Sequence, residues 1–256
     1  MAVKVLLLVS PVDLEEAKEC LRAGVDVVDC KNPREGSLGA NFPWVLRSMR
    51  KLVNQWNQAS ASTPAQPTAG NPTKLSATIG DVPNLPGTVA LAAAGAAGCG
   101  VDFVKVGLMG PTSVEGAVEL LAAAVRAAKD ENPDVLVVAA GYADRRRLDG
   151  ASVPPTDVSA VAQRAGADVA MLDTAIKDGR SILEFLNPST LRAFVADARD
   201  RGLMAALAGS LKKQDLPTVK EIGPDIVGVR SLACTNQDRN GGRIRAELVA
   251  ELKEML

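Results

Sequence analysis

The chain alternates between short apolar runs and longer amphipathic stretches, and this alternation is its dominant pattern. The first run, "VKVLLLVS" at 3–10, is almost continuously apolar, as a strand buried on both faces requires. "DLEEAKECLRAG" at 13–24 follows, with an aspartate cap, acids in its first turn and a terminal glycine, the marks of a helix. The order then repeats. "VDVVDCK" precedes a helix over 42–56, "KLSATIG" an alanine-rich helix ending near Gly98, "VDFVKVGLM" a helix over 113–130, and "DVLVVAAGYA" one over 156–165. "DVAMLD" leads to a helix over 188–201, "LMAALAGS" to a short one near 214–222, and "DIVGVRS" to a last helix from about Arg243. Eight strand–helix pairs in 256 residues predict one α/β domain over 1–256, a closed (β/α)8 TIM barrel, with an open doubly wound sheet as the alternative.

A short repeat strengthens the barrel reading. Gly24-Val25-Asp26, Gly100-Val101-Asp102, Gly166-Ala167-Asp168 and Gly223-Pro224-Asp225 each lead into an even-numbered strand. Counted from each glycine, offsets five and seven hold Asp29 and Lys31, Lys105 and Gly107, Met171 and Asp173, and Gly228 and Arg230. Side chains alternate along a strand, so these positions share one face, and alternate barrel strands contribute to common interior layers. Asp29, Lys31, Lys105, Asp173 and Arg230 are therefore expected around one opening at the C-terminal strand ends, where barrels of this type place their chemistry. The segment 54–73, "NQWNQASASTPAQPTAGNPT", is uncharged and rich in Ser, Thr, Pro, Ala and Gln, and it predicts a flexible insertion on the opposite face.

Charge and composition narrow the function. Thirty acids against twenty-nine bases leave a net charge of −1, which offers no summed field for nucleic acid or an anionic membrane, so neither partner is expected. Histidine is absent, which confines acid–base chemistry to Lys, Asp, Glu, Tyr or Cys. The four cysteines, at 20, 30, 99 and 234, have no Cys-x-x-Cys spacing and are read as reduced thiols of a cytoplasmic protein. The apolar run in "MAVKVLLLVSP" is far shorter than a membrane span. A monomer and a homo-oligomer are both compatible with the sequence.

Lysines at barrel strand ends form Schiff bases with carbonyl substrates when burial or a second cation lowers the amine pKa. Lys31, Lys105 and Lys177, the last in "MLDTAIKDG", are the candidates. Each could instead pair with a carboxylate merely to neutralise a charge, but three lysines converging with Asp29 and Asp173 favour catalysis. The two aspartates are assigned to proton transfer and to orienting the ammonium groups. Three nearby lysines repel a divalent cation, so no metal is expected. "ALAGSLKK" and "GVRSLAC" close the seventh and eighth strands with small residues, and Gly209, Ser210, Gly228 and Arg230 are the candidates for holding phosphate. "DRNGGR" at 238–243 either adds donors to that region or is a glycine-rich loop with an asparagine cap. Tyr142 either donates a proton in the mouth or anchors a loop, and Cys30, of opposite parity to its neighbours, should pack against the helices.

The segments "LLLVSPVDLEEAKECLRAGVDVVDCKNPREGSLGANFPWV", "SATIGDVPNLPGT", "DFVKVGL", "VVAAGYAD", "DVAMLDTAIKDG", "ALAGSLKK", "DIVGVR" and "DRNGGRI" together resemble the (5-formylfuran-3-yl)methyl phosphate synthase family of methanofuran biosynthesis. The resemblance runs nearly end to end, and 54–73 is the part that departs from it. It implies a (β/α)8 lyase without metal or organic cofactor. Such an enzyme converts two molecules of glyceraldehyde 3-phosphate into 4-(hydroxymethyl)-2-furancarboxaldehyde phosphate, releasing one phosphate and two waters. It also places the Schiff-base lysine of the Asp-x-Lys-Asn-Pro motif at Lys31, and carries the family's Lys-Val-Gly and Leu-Asp-Thr-Ala-x-Lys-Asp segments onto Lys105, Asp173 and Lys177. Two other readings share the residues: a lysine-dependent aldolase of phosphorylated sugars, and a non-catalytic barrel that binds a sugar phosphate.

Overall fold

In a computed structural model, which describes residues 5–61, 72–81 and 83–256, the apolar runs form eight parallel strands. They are β1 (Leu6–Val9), β2 (Val27–Cys30), β3 (Lys74–Thr78), β4 (Phe103–Gly107), β5 (Leu136–Tyr142), β6 (Val169–Asp173), β7 (Met204–Leu207) and β8 (Ile226–Val229). Each pairs with the next, and β8 pairs back to β1 through Leu6 with Ile226 and Val9 with Val229. That last pairing closes a (β/α)8 barrel and removes the open-sheet alternative, which would leave two strand edges bare.

The intervening helices are α1 (Leu14–Arg22), α2 (Pro43–Ala61), α3 (Pro86–Ala97), α4 (Val114–Glu131), α5 (Val158–Ala165), α6 (Pro188–Asp200), α7 (Leu216–Ile222) and α8 (Ala246–Met255). Local chemistry starts and stops them. Asp13 caps α1 by accepting from the Glu16 amide, and α6 begins on an Asn187 cap followed by a proline. The last helix starts at Ala246 rather than Arg243, because Ile244 bridges antiparallel to Cys234 and the Arg243 carbonyl accepts from the Thr235 amide instead of opening a helical turn.

The Gly-x-Asp repeat has a structural task beyond marking register. Gly24, Gly100, Gly166 and Gly223 all take positive φ, from 69° to 81°, which turns the chain from helix to strand at no steric cost. Each following aspartate then staples the strand before it. Asp26 accepts from the Leu7 amide, Asp102 from Leu75, Asp168 from Val137 and Asp225 from Ala205, at 2.7–3.0 Å. The carbonyls of the same residues accept from Lys74, Leu136, Met204 and Leu6, so each aspartate ties an odd strand on either side at the N-terminal rim. Basic side chains from the helical layer pair with all four, Lys253 with Asp26, Arg50 with Asp102, Lys129 with Asp168 and Arg199 with Asp225.

The helix over 42–56 extends further than its pattern predicts, to Ala61. Asn57, on the added reach of this helix, exchanges two hydrogen bonds with the backbone of Thr73, whose hydroxyl donates to the Val25 carbonyl. The start of the 54–73 segment is therefore helix and its end is anchored, while 62–71 lies outside the described residues. Two apolar layers complete the fold. One lies between barrel and helices and includes Cys30, as its parity predicts. The other fills the barrel interior.

Candidate active site

The inward positions of the even strands stack in three tiers. Val27, Phe103, Val169 and Ile226 form an apolar floor. Asp29, Lys105, Met171 and Gly228 lie above it, and Lys31, Gly107, Asp173 and Arg230 reach the mouth. The odd strands add Leu8 and Ser10, and Ala208. Lys177, Gly209, Ser210 and Arg239 join the charged residues of the upper tiers in lining a pocket at the C-terminal end of the barrel. All nine site residues predicted from sequence line this one pocket: Asp29, Lys31, Lys105, Asp173, Lys177, Gly209, Ser210, Gly228 and Arg230.

Two ion pairs are built into it. Lys105 Nζ donates to Asp29 Oδ2 at 2.8 Å, and the Ser10 hydroxyl donates to the same oxygen at 2.8 Å. Asp29 Oδ1 is buried without a partner among the described residues. Burial pushes the Asp29 pKa up, but the ammonium groups of Lys105 and Lys31 outweigh it and hold the carboxyl below its usual range. In the second pair, Lys177 Nζ donates to Asp173 Oδ1 at 2.5 Å, and the Thr174 amide donates to that oxygen as well. Burial again works against the Asp173 charge, and Lys177 and Lys31 again prevail, so this carboxyl is also held low. Lys177 itself is lowered, because its burial outweighs the attraction of Asp173.

Lys31 is different. It is buried, 6% exposed, and its amine makes no hydrogen bond among the described residues. Burial lowers its pKa most, Asp29 and Asp173 oppose that, and Lys105 and Lys177 add repulsion, with the result that the amine titrates at about 7. A lysine in that state is substantially neutral near physiological pH and is a competent nucleophile.

The small residues shape the cavity. Gly209 and Ser210 follow β7 with φ of 114° and 46°, and a Cβ at Gly209 would lie 3.1 Å from Thr174 and Ile182. Gly228 opens the floor beside Met171 and Ala208. Arg230 reaches the pocket, but its Nη1 donates to the Ser10 carbonyl and to buried Glu16, and its Nε to the Arg239 carbonyl. Those donors are satisfied inside the protein. Among the described residues, no group of three His, Cys, Asp or Glu side chains has metal-binding geometry.

Asp144 and Asp81 carry no sequence signal of their own. Asp144 is buried and accepts from the amides of Ala175 and Ile176 at 2.7 and 2.9 Å, which holds the loop that returns Lys177 to Asp173. Tyr142 is fully buried, and its hydroxyl donates to Asp81, whose other oxygen accepts from the Leu38 amide. Tyr142 therefore anchors the loops after β2 and β3, the second of the two roles its position allows. Burial, then Asp81, push its pKa well up. Gly107 makes the contact feasible, since a Cβ there would lie 2.6 Å from Asp81 and 2.7 Å from the Tyr142 hydroxyl. Ser10 could have been found from its parity with Leu8.

A family model described as 4-HFC-P synthase matches residues 7–253 of this chain. The chain belongs to the 4-HFC-P synthase family. It is 52% identical over 250 residues to a Methanocaldococcus jannaschii protein named (5-formylfuran-3-yl)methyl phosphate synthase, covering 98% of this chain and 99% of that one. The protein of the same name from Methanothermobacter thermautotrophicus is 49% identical over 251 residues, with 98% of each chain covered. This chain is an enzyme of that kind. Among solved structures, 3-hexulose-6-phosphate synthase superposes with a TM-score of 0.60 at 18% identity, covering 97% of this chain and 99% of that one. Thiamine phosphate pyrophosphorylase from Pyrococcus furiosus superposes at 0.59 with 15% identity, covering 99% and 96%. These two likenesses extend to the barrel alone. No helix among the described residues is long and apolar enough to cross a membrane.

Proposed function

We propose that this enzyme condenses two molecules of glyceraldehyde 3-phosphate into 4-(hydroxymethyl)-2-furancarboxaldehyde phosphate through a Schiff base on Lys31, as a cytoplasmic step of methanofuran biosynthesis. The observation that carries the mechanism is the isolated amine of Lys31, buried and unpaired between two lysines that each have their own carboxylate. Family membership supports the product, through the name its relatives share.

The amine of Lys31 attacks the aldehyde of one triose phosphate, and loss of water gives an iminium. The iminium draws electrons from the neighbouring carbon, whose proton passes to a carboxylate. Asp29 and Asp173 each bind two donors through one oxygen, Oδ2 and Oδ1, and each keeps its other oxygen free of hydrogen bonds among the described residues, so either carboxylate can take the proton. The enamine then adds to the aldehyde of the second triose. One phosphate leaves, a hydroxyl closes the five-membered ring, and dehydration makes it aromatic; water then hydrolyses the Lys31 iminium, freeing the product aldehyde and returning the amine. The overall balance is two triose phosphates to one furan phosphate, one inorganic phosphate and two waters, with no change of oxidation state and no nicotinamide required. Lys105 and Lys177 stabilise developing oxyanions and the departing phosphate. Gly209 and Ser210 offer backbone donors to a phosphoryl group on the β7 side.

The direct test is incubation with glyceraldehyde 3-phosphate while inorganic phosphate and furan absorbance are followed together. Equal molar release of both supports the reading. An aldol product without phosphate release would assign the protein to the lysine-dependent aldolases instead.

A further inference from the structure

The charges in the pocket do not balance, and the imbalance points to one residue. Three of its cations have carboxylate partners inside the protein: Lys105 with Asp29, Lys177 with Asp173, and Arg230 with Glu16, at 2.8, 2.5 and 2.9 Å. Lys31 sheds its charge near neutrality. Arg239 is left. A guanidinium stays protonated under all physiological conditions, and this one is only partly exposed and makes no side-chain hydrogen bond or ion pair among the described residues. Burial disfavours its charge, the Asp173 carboxylate favours it without bonding to it, and the Arg230 guanidinium opposes it.

The loop that carries Arg239 is built to hold it over the pocket. Its carbonyl accepts from Arg230 Nε at 2.9 Å. The adjacent acid, Asp238, makes no ion pair with it; its Oδ1 accepts instead from the amides of Asn240 and Gly241 at 2.9 and 3.0 Å. Gly242 closes the turn where a Cβ would lie 2.3 Å from the Thr235 carbonyl, and Asn236 and Gln237 both sit at φ 55°, an unfavourable conformation for residues with side chains. A loop that presents an unneutralised arginine to a pocket already containing ammonium groups is suited to a multiply charged anion.

We propose that Arg239 is a phosphoryl-binding residue of the active site, gripping a triose phosphate from the β8 side of the mouth with its planar fork of donors. The proposal rests on the reading of a phosphorylated substrate given above, and it adds a residue that determines selectivity for the phosphoryl group. It also gives the pocket two anion-binding elements, the Gly209-Ser210 backbone and Arg239, as a reaction between two phosphorylated molecules requires.

The test uses Arg239→Gln and Arg239→Lys in the full chain, with inorganic phosphate as the probe in calorimetric titration. Arg239→Gln should weaken phosphate binding about tenfold or more, the scale of a charge-assisted hydrogen-bonded contact, and Arg239→Lys should restore part of it. In a second arm, borohydride trapping is timed with glyceraldehyde and with glyceraldehyde 3-phosphate. Arg239→Gln should slow adduct formation with the phosphorylated aldehyde alone. Phosphate affinity unchanged from the wild type, no phosphate binding in the wild type, or equal slowing with both aldehydes would each overturn the proposal. The titration needs no chemistry at Lys31, so failure of the Schiff base and failure of the phosphoryl grip give different results.

Discussion

Lys105 Nζ lies 2.8 Å from Asp29 Oδ2 with the two side chains 2% and 0% exposed, whereas Lys31, one residue beyond the end of the same strand as Asp29, has no such contact. The pair places a fixed charge below Lys31 and keeps the carboxylate ionised without consuming its second oxygen. Removing one partner leaves a buried charge uncompensated. Lys105→Met should therefore cost about 3–5 kcal/mol in urea denaturation, and combining it with Asp29→Leu should recover most of that loss. If the single substitution is as stable as the wild type, the pair has no structural weight.

Adduct formation should depend on pH through Lys31. Its amine is protonated and inert well below about 7, so the trapping rate with saturating triose phosphate should rise through that pH and level off above it. The sign for stability follows from the same shift. The folded-state value, about 7, lies below the free-lysine 10.5, so between these limits the unfolded chain binds more protons and this residue makes stability increase with pH. The cost is fully present below about 7. Lys31→Met should then stabilise the protein at neutral pH, by up to a few kcal/mol at roughly 1.4 kcal/mol per pKa unit. A variant of equal or lower stability at pH 7 would contradict this.

Asp144 holds Lys177 in place at one remove. Asp144→Ala strands the half-buried amides of Ala175 and Ile176, for a loss of roughly 1–3 kcal/mol in thermal or chemical unfolding. Because the Asp144 charge also favours protonation of Lys177, Asp144→Asn should lower the basic limb of the kcat profile even where folding is intact. An unchanged pH profile would reduce Asp144 to a structural residue.

The N-terminal rim separates stability from catalysis. Asp168→Ala removes the acceptor of the Val137 amide and the partner of Lys129, and should cost about 1–3 kcal/mol with kcat and KM unchanged. A large fall in kcat at a temperature where the variant is folded would show coupling between the two ends of the barrel.

Much of the site was legible because strand parity is rigid. One glycine-anchored count brought Asp29, Lys31, Lys105, Asp173 and Arg230 to a common pocket, since a strand alternates its faces strictly and a barrel repeats the register. The same repeat concealed its second use, as the Asp26, Asp102, Asp168 and Asp225 staples depend on where the neighbouring strand begins. Asp144 and Asp81 were not legible, because they come from loops whose partners lie far away in sequence and no periodicity fixes their direction, and Arg239 was legible only as one residue of the "DRNGGR" segment. Arg230 shows the complementary limit. Its position followed from parity, but the engagement of its guanidinium depends on Glu16, 214 residues away on α1. Length also misled at α2, where a run poor in charge and rich in Ser and Gln continues as helix to Ala61 once its end is pinned by Asn57 and Thr73.

The central claim is that one buried amine, that of Lys31, carries the reaction. Borohydride reduction in the presence of glyceraldehyde 3-phosphate, followed by peptide mapping in a mass spectrometer, tests it most directly. The predicted result is a single covalent adduct on Lys31, with Lys105 and Lys177 unmodified and no adduct in Lys31→Arg. An adduct on a different lysine, or full turnover by Lys31→Arg, would contradict it.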